Sequence, residues 1–554
     1  MGNYNLNSGF NNVIIPRTET VANIVYSGAL GTAYGIITVE SNRTTPLTMN
    51  INNFKFGNVV GQPACIDFGN NNLQDNKLIY SGTNVILNDS NVSGETNKNC
   101  AIRVVKGTML TIISSDSSAE LQCKGDNSGA GIGGNYAENG GNITIDGEGT
   151  LNITAGYGAA AIGGGGGIYI GDVVSGGNSG NILIKGSGTV IATSDSEGAA
   201  IGSGSFGIAE NITIQGTVEI NSTNTGTGAG IGSAQYGRCE NIIITGSPKI
   251  VATGGSGAAG IGGGYLGKSL NITISIVNPG TITATGRDFG PVLGNGGAGI
   301  GGGGGNGTIG GDGGNITIYG TGDVKATGGE QGAGIGGGFN GDASSIGIVG
   351  AINIDATGGN YGAGIGGGDY GCGGLVIVVG WGTVSAKNGG GIVPNPPQDI
   401  GKGGHCPNGP MDVVLSNPNF QNVNDPVLVK IKILLNGQPY ANKTVTLIMG
   451  ESGALRLDTK TDSDGYVYFY ATEGTYAFTA TEGSYTLEEK FFTVPPMSNV
   501  PTELVFSGVT NVLRGINLFG VKKYICNEFF LDTSQYLILM GGVFFFFLNF
   551  HFFF

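Results

Sequence analysis

The sequence is poor in charged side chains and in the residues that most often carry catalysis. Charged residues make up 12% of the 554 positions, and the chain has two histidines and one tryptophan. A disordered chain would have more charge and fewer apolar residues, whereas 39% of this chain is hydrophobic, so a folded core is expected. The formal net charge of −14 disfavours nucleic acid as a partner, because acidic surfaces repel the phosphate backbone.

Cysteine pairs and targeting signals are also missing. The seven cysteines are far apart and include no CxxC pair, which disfavours a zinc site and predicts isolated, mostly reduced thiols. The N-terminal residues have neither a basic segment nor an apolar run, so no signal peptide is visible. The sequence also lacks the runs of basic residues that dock proteins on anionic lipid. A membrane is therefore expected as a partner only through the apolar C-terminal end.

Glycine, in contrast, is abundant and belongs to an internal repeat. Many of the 111 glycines recur in a block that reads Gly-Ala-Gly-Ile-Gly-Gly, and the most frequent interval between its isoleucines is 30 residues. Degenerate copies are expected at Ile66, Ile102 and Ile392. The isoleucines of the clear copies are Ile132, Ile162, Ile201, Ile231, Ile261, Ile300, Ile335 and Ile365.

Two further blocks in each repeat predict strands. Asn-Ile-Thr-Ile begins at Asn142, and a Gly-Thr-Val block begins at Gly188. Both are short, alternating, β-branched stretches between glycines. Three such strands in about 30 residues predict an all-β, right-handed parallel β-helix, because a propeller blade would need about four strands and 40 residues. We also expect stacked asparagines to form a ladder of side-chain amides, which is interrupted at the later copies, Ser345 and Gly374. Its members are Asn142, Asn181, Asn211, Asn241, Asn271 and Asn315.

Composition divides the chain into five segments. Residues 1–59 are predicted to form an N-terminal cap or degenerate first turns, and 60–392 the parallel β-helix. Seven prolines mark 393–426 as a linker. Residues 427–507, with longer strands and fewer glycines, are predicted to form a small β-sandwich. The apolar tail at 508–554 is either a membrane segment or a read-through artefact.

The Gly-Ala-Gly-Ile-Gly-Gly repeat at 127–392 resembles the glycine-rich repeats of bacterial cell-surface proteins. The resemblance implies a structural or adhesive protein that is β-helical, is secreted or displayed at the surface, and binds carbohydrate. The sequence from Thr461 to Tyr476 is similar to immunoglobulin-like and transthyretin-like modules, which implies a spacer. Because such a location requires export, we expect the natural chain to start upstream of Met1.

The alternative function is that of a β-helical polysaccharide lyase or hydrolase. Glycoside hydrolysis needs two carboxylates at a fixed separation, and the acidic residues of the repeat do not recur in register. Hydrolases of this shape carry a Gly-His-Gly block, and the nearest match is Gly404-His405-Cys406. We interpret His405 as a solvated linker residue. We therefore predict no catalytic residue, no metal, no cofactor and no enzymatic activity.

An aromatic series is the candidate binding site. An aromatic residue follows the glycine-rich block in seven of the eight clear repeats. Stacked turns would align these rings along one edge, where they are predicted to bind a polysaccharide or a cell-surface glycan. The structural alternative is that the rings stack on one another and fill corners. The series consists of Tyr136, Tyr169, Phe206, Tyr236, Tyr265, Phe339 and Tyr370.

Overall fold

The computed structural model divides into two units, Met1–Phe506 and Ser507–Phe554. The predicted apolar tail at 508–554 lies outside the described residues. Throughout the described part of the chain, no helix is long and apolar enough to cross a membrane. The structure describes residues 1–506 except 27, 58–61, 89–99, 171–172, 291–294, 307–309, 373, 381, 392–396, 407–412, 417–426, 436–437, 450–454, 462, 472–473, 483–484, 487–489 and 495–502.

The first unit contains a right-handed parallel β-helix, as predicted, and each regular coil crosses sheet A, sheet C and sheet B in turn. The parallel strands of sheet A are Gly2–Asn5, Val21–Val25, Thr48–Asn52, Asp75–Ser81, Met109–Ser114, Asn142–Asp146, Asn181–Ile184, Ile208–Ile214, Arg238–Gly246, Lys268–Ile276, Gly314–Gly320, Ala343–Gly350, Leu375–Gly380 and Val413–Ser416.

Most strands of sheet B are shorter than those of sheet A, and the strands of sheet C are more uniform in length. Those of sheet B are Gly9–Ile15, Ala33–Val39, Ala64–Asp67, Ile102–Arg103, Ile132–Gly133, Ile162–Gly163, Ile201–Gly202, Ile231–Gly232, Ile261–Gly262, Ile300–Gly301, Ile335–Gly336, Ile365–Gly366 and Ile400–Gly401. Those of sheet C are Lys55–Gly57, Thr83–Leu87, Glu120–Lys124, Thr150–Thr154, Thr189–Ser194, Glu219–Asn224, Lys249–Thr253, Thr281–Thr285, Asp323–Thr327, Asn353–Thr357 and Val384–Lys387. An inserted antiparallel hairpin, Ile168–Ile170 and Val173–Ser175, lengthens one coil.

The core contains columns of stacked apolar side chains, which in sheet B are identical isoleucines. Ile132 pairs with Ile162, and both side chains are fully buried. Such stacking buries apolar surface that no single coil could bury alone. The degenerate copies at Ile66 and Ile102 are confirmed, because they pair with each other in sheet B. The last copy is Ile400, which pairs with Ile365, whereas Ile392 lies outside the described residues.

The glycine after each repeat isoleucine is required by the backbone. From Gly133 to Gly366, these sheet B glycines have φ between 131° and 144°. A Cβ at Gly232 would overlap the carbonyl oxygen of Gly262, which is stacked on it. The repeated glycine therefore allows close approach of successive coils.

The predicted asparagine ladder is confirmed and lies on the outer face of sheet A. The amide of Asn211 donates to the side-chain oxygen of Asn181 at 2.7 Å, and neighbouring members are linked in the same way at 3.0–3.3 Å. Ser345 interrupts the ladder as predicted. The next position is occupied by Leu375 and not by Gly374, because the strands pair at a spacing of 30 residues.

The regular strands extend beyond 60–392 at both ends. Strands within residues 1–59 already belong to the three sheets. Two strands, Ile400–Gly401 and Val413–Ser416, lie within the segment predicted to be a linker and continue sheets B and A. The prediction of reduced thiols is wrong for one pair, because Cys372 and Cys406 form a disulfide between adjacent coils. Of the other cysteines that the structure describes, Cys65, Cys100, Cys123 and Cys239 are buried and belong to no disulfide.

The C-terminal part of the first unit is mostly antiparallel, with one parallel pair between Val427–Leu435 and Glu503–Phe506. Leu415 of sheet A pairs with Tyr470, so the sheet continues into this region. The strands added to sheet A are Val427–Leu435, Gln438–Pro439, Tyr466–Ala471 and Glu503–Phe506. A second sheet of five strands contains Thr444–Met449, Leu455–Lys460, Gly474–Glu482, Tyr485–Thr486 and Lys490–Val494.

Candidate functional site

The loop that joins sheet B to sheet A contains a residue in the left-handed conformation. In seven coils, the fifth residue after the sheet B isoleucine has a φ between 54° and 62°. The turn at Tyr236 is closed by a 3.0 Å hydrogen bond from the Gly237 amide to the Ala234 carbonyl. This conformation favours Gly or Asn, because a Cβ crowds the following carbonyl. The residues at this left-handed position are Ala137, Phe206, Tyr236, Leu266, Asn340, Tyr370 and His405.

Several of these left-handed residues present rings to solvent. Tyr236 and Tyr370 each retain 50% exposure, and Phe206 is half-buried. The rings of Phe206 and Tyr236 are stacked, with centroids 5.3 Å apart and planes inclined by 8°. Leu266 has the same position in the next coil but is buried. Phe206 and Tyr236 therefore form a first ring patch that ends at Leu266.

Three other members of the predicted series lie one residue earlier, and two of these rings point inward. Tyr265 and Phe339 each retain 8% exposure, and Tyr136 is half-buried. Tyr265 stacks on Phe289 with centroids 4.1 Å apart, and burial raises the pKa of its hydroxyl. Tyr169 lies in the inserted hairpin. The seven predicted residues thus belong to three environments, and the structure does not align them along one edge.

A second ring patch consists of Tyr361, Tyr370 and His405. The His405 ring stacks on Tyr370 at 4.8 Å and lies 5.3 Å from the Tyr361 ring. Tyr361, His405 and Phe289 do not belong to the predicted aromatic series. A signal was present for His405, since it follows Ile400 by five residues as Tyr370 follows Ile365. The proline-rich composition around Ile400 concealed this last copy of the turn.

The interpretation of His405 as a solvated linker residue is wrong. Its Nδ1 lies 2.8 Å from Oδ1 of Asp369, whose side chain is fully buried. The other carboxylate oxygen accepts a 3.0 Å hydrogen bond from Nε2 of Gln331. Burial raises the pKa of Asp369, and the contact with His405 opposes that rise. The disulfide of the neighbouring Cys406 joins the His405 coil to the Tyr370 coil.

The second patch contains one element of catalytic machinery and lacks the others. A histidine oriented by a buried carboxylate can act as a general base through its second nitrogen. Within the described part of the chain, His405 has no hydrogen bond to a hydroxyl or thiol side chain that could serve as a nucleophile. Over the same residues, no group of three or more His, Cys, Asp or Glu could hold a metal ion.

Comparison with known proteins agrees with the architecture. A family model described as "Beta helix repeat" matches residues 182–205, 274–304 and 316–339. In each match, the chain passes from sheet A through sheet C to sheet B. This is a β-helical repeat protein. No curated protein and no solved structure matches this β-helical repeat protein.

Proposed function

We propose that this β-helical repeat protein is a non-catalytic, extracellular or cell-surface protein that binds polysaccharide through its exposed turn rings. The observation that carries the proposal is the 50% exposure of Tyr236 in a left-handed turn position. Ring faces offer a rigid apolar surface on which sugar rings can stack, and ring hydroxyls can bond to sugar hydroxyls.

Stability alone does not account for a ring at this position. A left-handed conformation costs a residue with a Cβ about 1–2 kcal/mol. Stacking of Phe206 on Tyr236 returns about 0.5–1.5 kcal/mol, which barely offsets that cost. Asn340 has the same place in another coil, so a residue better suited to the backbone fits the turn. Strained residues persist where they have a function, which favours binding by Phe206 and Tyr236.

The spacing of the coils suits a polymeric ligand. Adjacent parallel strands lie about 4.8 Å apart, so rings on neighbouring coils contact consecutive parts of one chain. Two patches along the same β-helix would add avidity, because the second contact becomes intramolecular. Polar side chains adjoin the first patch, where the Thr227 hydroxyl and the Gln235 side-chain oxygen are 2.8 Å apart. These side chains are suitable partners for sugar hydroxyls.

The proposed location outside the cell has independent support. Disulfides persist mainly in oxidising compartments such as the space outside the cell, and Cys372 and Cys406 form a disulfide. The antiparallel region at 427–506 would then act as a spacer, as the resemblance to immunoglobulin-like modules suggests.

Affinity electrophoresis of the full chain tests the proposal. Gels containing neutral polysaccharides, among them hydroxyethyl cellulose, xylan and galactomannan, should retard the wild-type protein. The double variant Phe206→Asn/Tyr236→Asn should lose this retardation. Tyr319→Asn is the matched control, since Tyr319 is 41% exposed but lies on a strand of sheet A. Wild-type migration unchanged by every polymer, or equal losses in the double variant and the control, would contradict the proposal.

A polysaccharide lyase or hydrolase is the second candidate, favoured by the contact between Asp369 and His405. Incubation with the same polymers, followed by assay of reducing ends and unsaturated products, tests it. Fragment release that disappears in His405→Gln would replace the binding proposal with a catalytic one. We expect no release.

A further inference from the structure

A shallow cleft lies between loops that join sheet C to sheet B in three neighbouring coils, the first of which follows the Tyr236 coil. It has a volume of about 470 Å³ and is lined by Ser256, Arg287, Asp288 and four glycines. Because the glycines carry no side chains, the backbone is accessible there. The three polar side chains are therefore the groups that define its chemistry.

Arg287 differs from the other cations of this part of the β-helix. Between residues 142 and 357 the chain has six lysines and arginines, and five of them form ion pairs. Arg287 forms none with the residues that the structure describes, although the net charge of the chain is −14. An exposed guanidinium with no carboxylate partner is available to an anionic ligand. The paired cations are Lys185, Arg238, Lys249, Lys268 and Lys325.

The neighbouring coils hold the backbone of the cleft in place. The Arg287 amide donates to the Ala258 carbonyl at 3.1 Å, and its carbonyl accepts from the Gly297 amide at 3.1 Å. One carboxylate oxygen of Asp288 accepts a hydrogen bond from the Glu330 amide. That bond orients the Asp288 carboxylate and partly neutralises its charge. Its other oxygen is therefore suited to accept a hydrogen bond from a ligand hydroxyl.

The cleft is continuous with the aromatic surface. Phe289 lies between two lining residues and stacks on Tyr265 at 4.1 Å. The Tyr265 carbonyl accepts a 2.9 Å hydrogen bond from the amide of Tyr236, which belongs to the first ring patch. Along the β-helix, the Ser256 loop lies one coil beyond Tyr236 and the Arg287 loop lies two coils beyond it, so a polymer on that patch needs to advance by roughly 5–10 Å to reach the cleft.

We propose that the Arg287 cleft binds the carboxylate of an acidic polysaccharide, in which sugar units carry carboxyl groups. The guanidinium forms paired, charge-assisted hydrogen bonds with the carboxylate, and Ser256 and Asp288 bond to hydroxyls of the same sugar. This inference rests on the proposed function, because the rings of Phe206 and Tyr236 hold the neighbouring units. It identifies the class of ligand for which the chain is selective.

A pair of polymers with the same backbone tests the selectivity. Alginate carries free carboxylates, and its propylene glycol ester is largely neutral. Affinity electrophoresis of the full chain in calcium-free buffer should show stronger retardation by alginate. Arg287→Gln should weaken the affinity for alginate about tenfold, as expected for the loss of a charge-assisted contact, and leave the affinity for the ester unchanged. Arg238→Gln is the matched control, because it removes the same charge from an ion pair.

The outcomes separate this inference from the proposed function. Equal retardation of the wild-type protein by the two polymers would overturn the inference and leave polysaccharide binding intact. Retardation by neither, together with failure on the neutral polymers, would overturn both. Equal losses in Arg287→Gln and Arg238→Gln would mean that overall charge, and not the cleft, binds alginate. Competition by polyglutamate as effective as that by alginate would show that sugar is not recognised.

Discussion

The neighbouring coils that contain Tyr236 and Tyr265 have matching backbones but differ in the exposure of their tyrosine rings. Ile231 pairs with Ile261, so the coils are in register. Tyr236 follows its isoleucine by five residues and is 50% exposed, whereas Tyr265 follows by four and is 8% exposed. The repeat determines where the turn forms, and a one-residue shift within the turn determines whether a ring packs inside or faces solvent.

The same contrast recurs further along the β-helix. Phe339 follows Ile335 by four residues and is buried, and Tyr370 follows Ile365 by five and is half exposed. The two rings meet edge to face, with centroids 5.9 Å apart. Two independent pairs thus obey one rule, which makes the rule testable by substitution.

The largest expected effect comes from the glycine on which both coils depend. Gly232→Ala would place a Cβ against the Gly262 carbonyl at a φ of 137°, so we expect a loss of about 4 kcal/mol in unfolding free energy. Thermal unfolding followed by circular dichroism measures it. Gly290→Ala is the control, because its φ is also positive, at 79°, but a Cβ there meets no atom within 4 Å. Equal losses in the two variants would mean that strain, and not coil contact, requires the glycine.

Removing the buried ring should have the next largest effect. Tyr265→Ala leaves a cavity beneath Phe289, and we expect it to reduce the unfolding free energy by about 3 kcal/mol. Retardation by polysaccharide, measured well below the unfolding temperature, should remain close to that of the wild-type protein. A stable variant with lost retardation would reverse the roles assigned to Tyr265 and Tyr236.

The second ring patch should depend on its disulfide, unlike the first. Cys406→Ala removes a disulfide between residues 34 positions apart. We expect it to lower the unfolding free energy by about 2–3 kcal/mol and to affect only the terminal coils. Hydrogen exchange should accelerate around His405 and stay unchanged around Tyr236. Uniform acceleration would show that the β-helix unfolds as one cooperative body.

The fold could be predicted because period and composition act together at every coil. A spacing of 30 residues with β-branched strands between glycines leaves few alternatives to a parallel β-helix. The end of the repeat was harder to predict, since the last coil reaches Ile400 through a proline-rich segment that has the composition of a linker. Local composition is a weak guide where stacking on an existing coil supplies the stability.

The candidate site could be predicted only in part, for a geometrical reason. Counting from the isoleucine identified the aromatic series. A ring four residues after the isoleucine is buried in Tyr265 and Phe339, whereas a ring five residues after it is half exposed in Tyr236 and Tyr370, so the exact offset separates packed rings from exposed ones. Phe289 and Tyr361 belong to loops that enter sheet B and precede the glycine-rich block, whereas the predicted series follows that block. The contact between Asp369 and His405 joins residues 36 apart and follows only from the register of the terminal coil.

The smallest expected effect on stability is the most informative about function. Tyr236→Asn removes a stack worth about 1 kcal/mol but relieves a left-handed strain of about 1 kcal/mol, so the unfolding free energy should change by less than about 1 kcal/mol. Tyr265→Asn, the matched variant in the next coil, should lose about 3 kcal/mol, because its ring is buried. Thermal unfolding of both variants measures the difference. If Tyr236→Asn is as destabilising as Tyr265→Asn, the exposed ring contributes to packing, and the strain at Tyr236 no longer argues for a binding role.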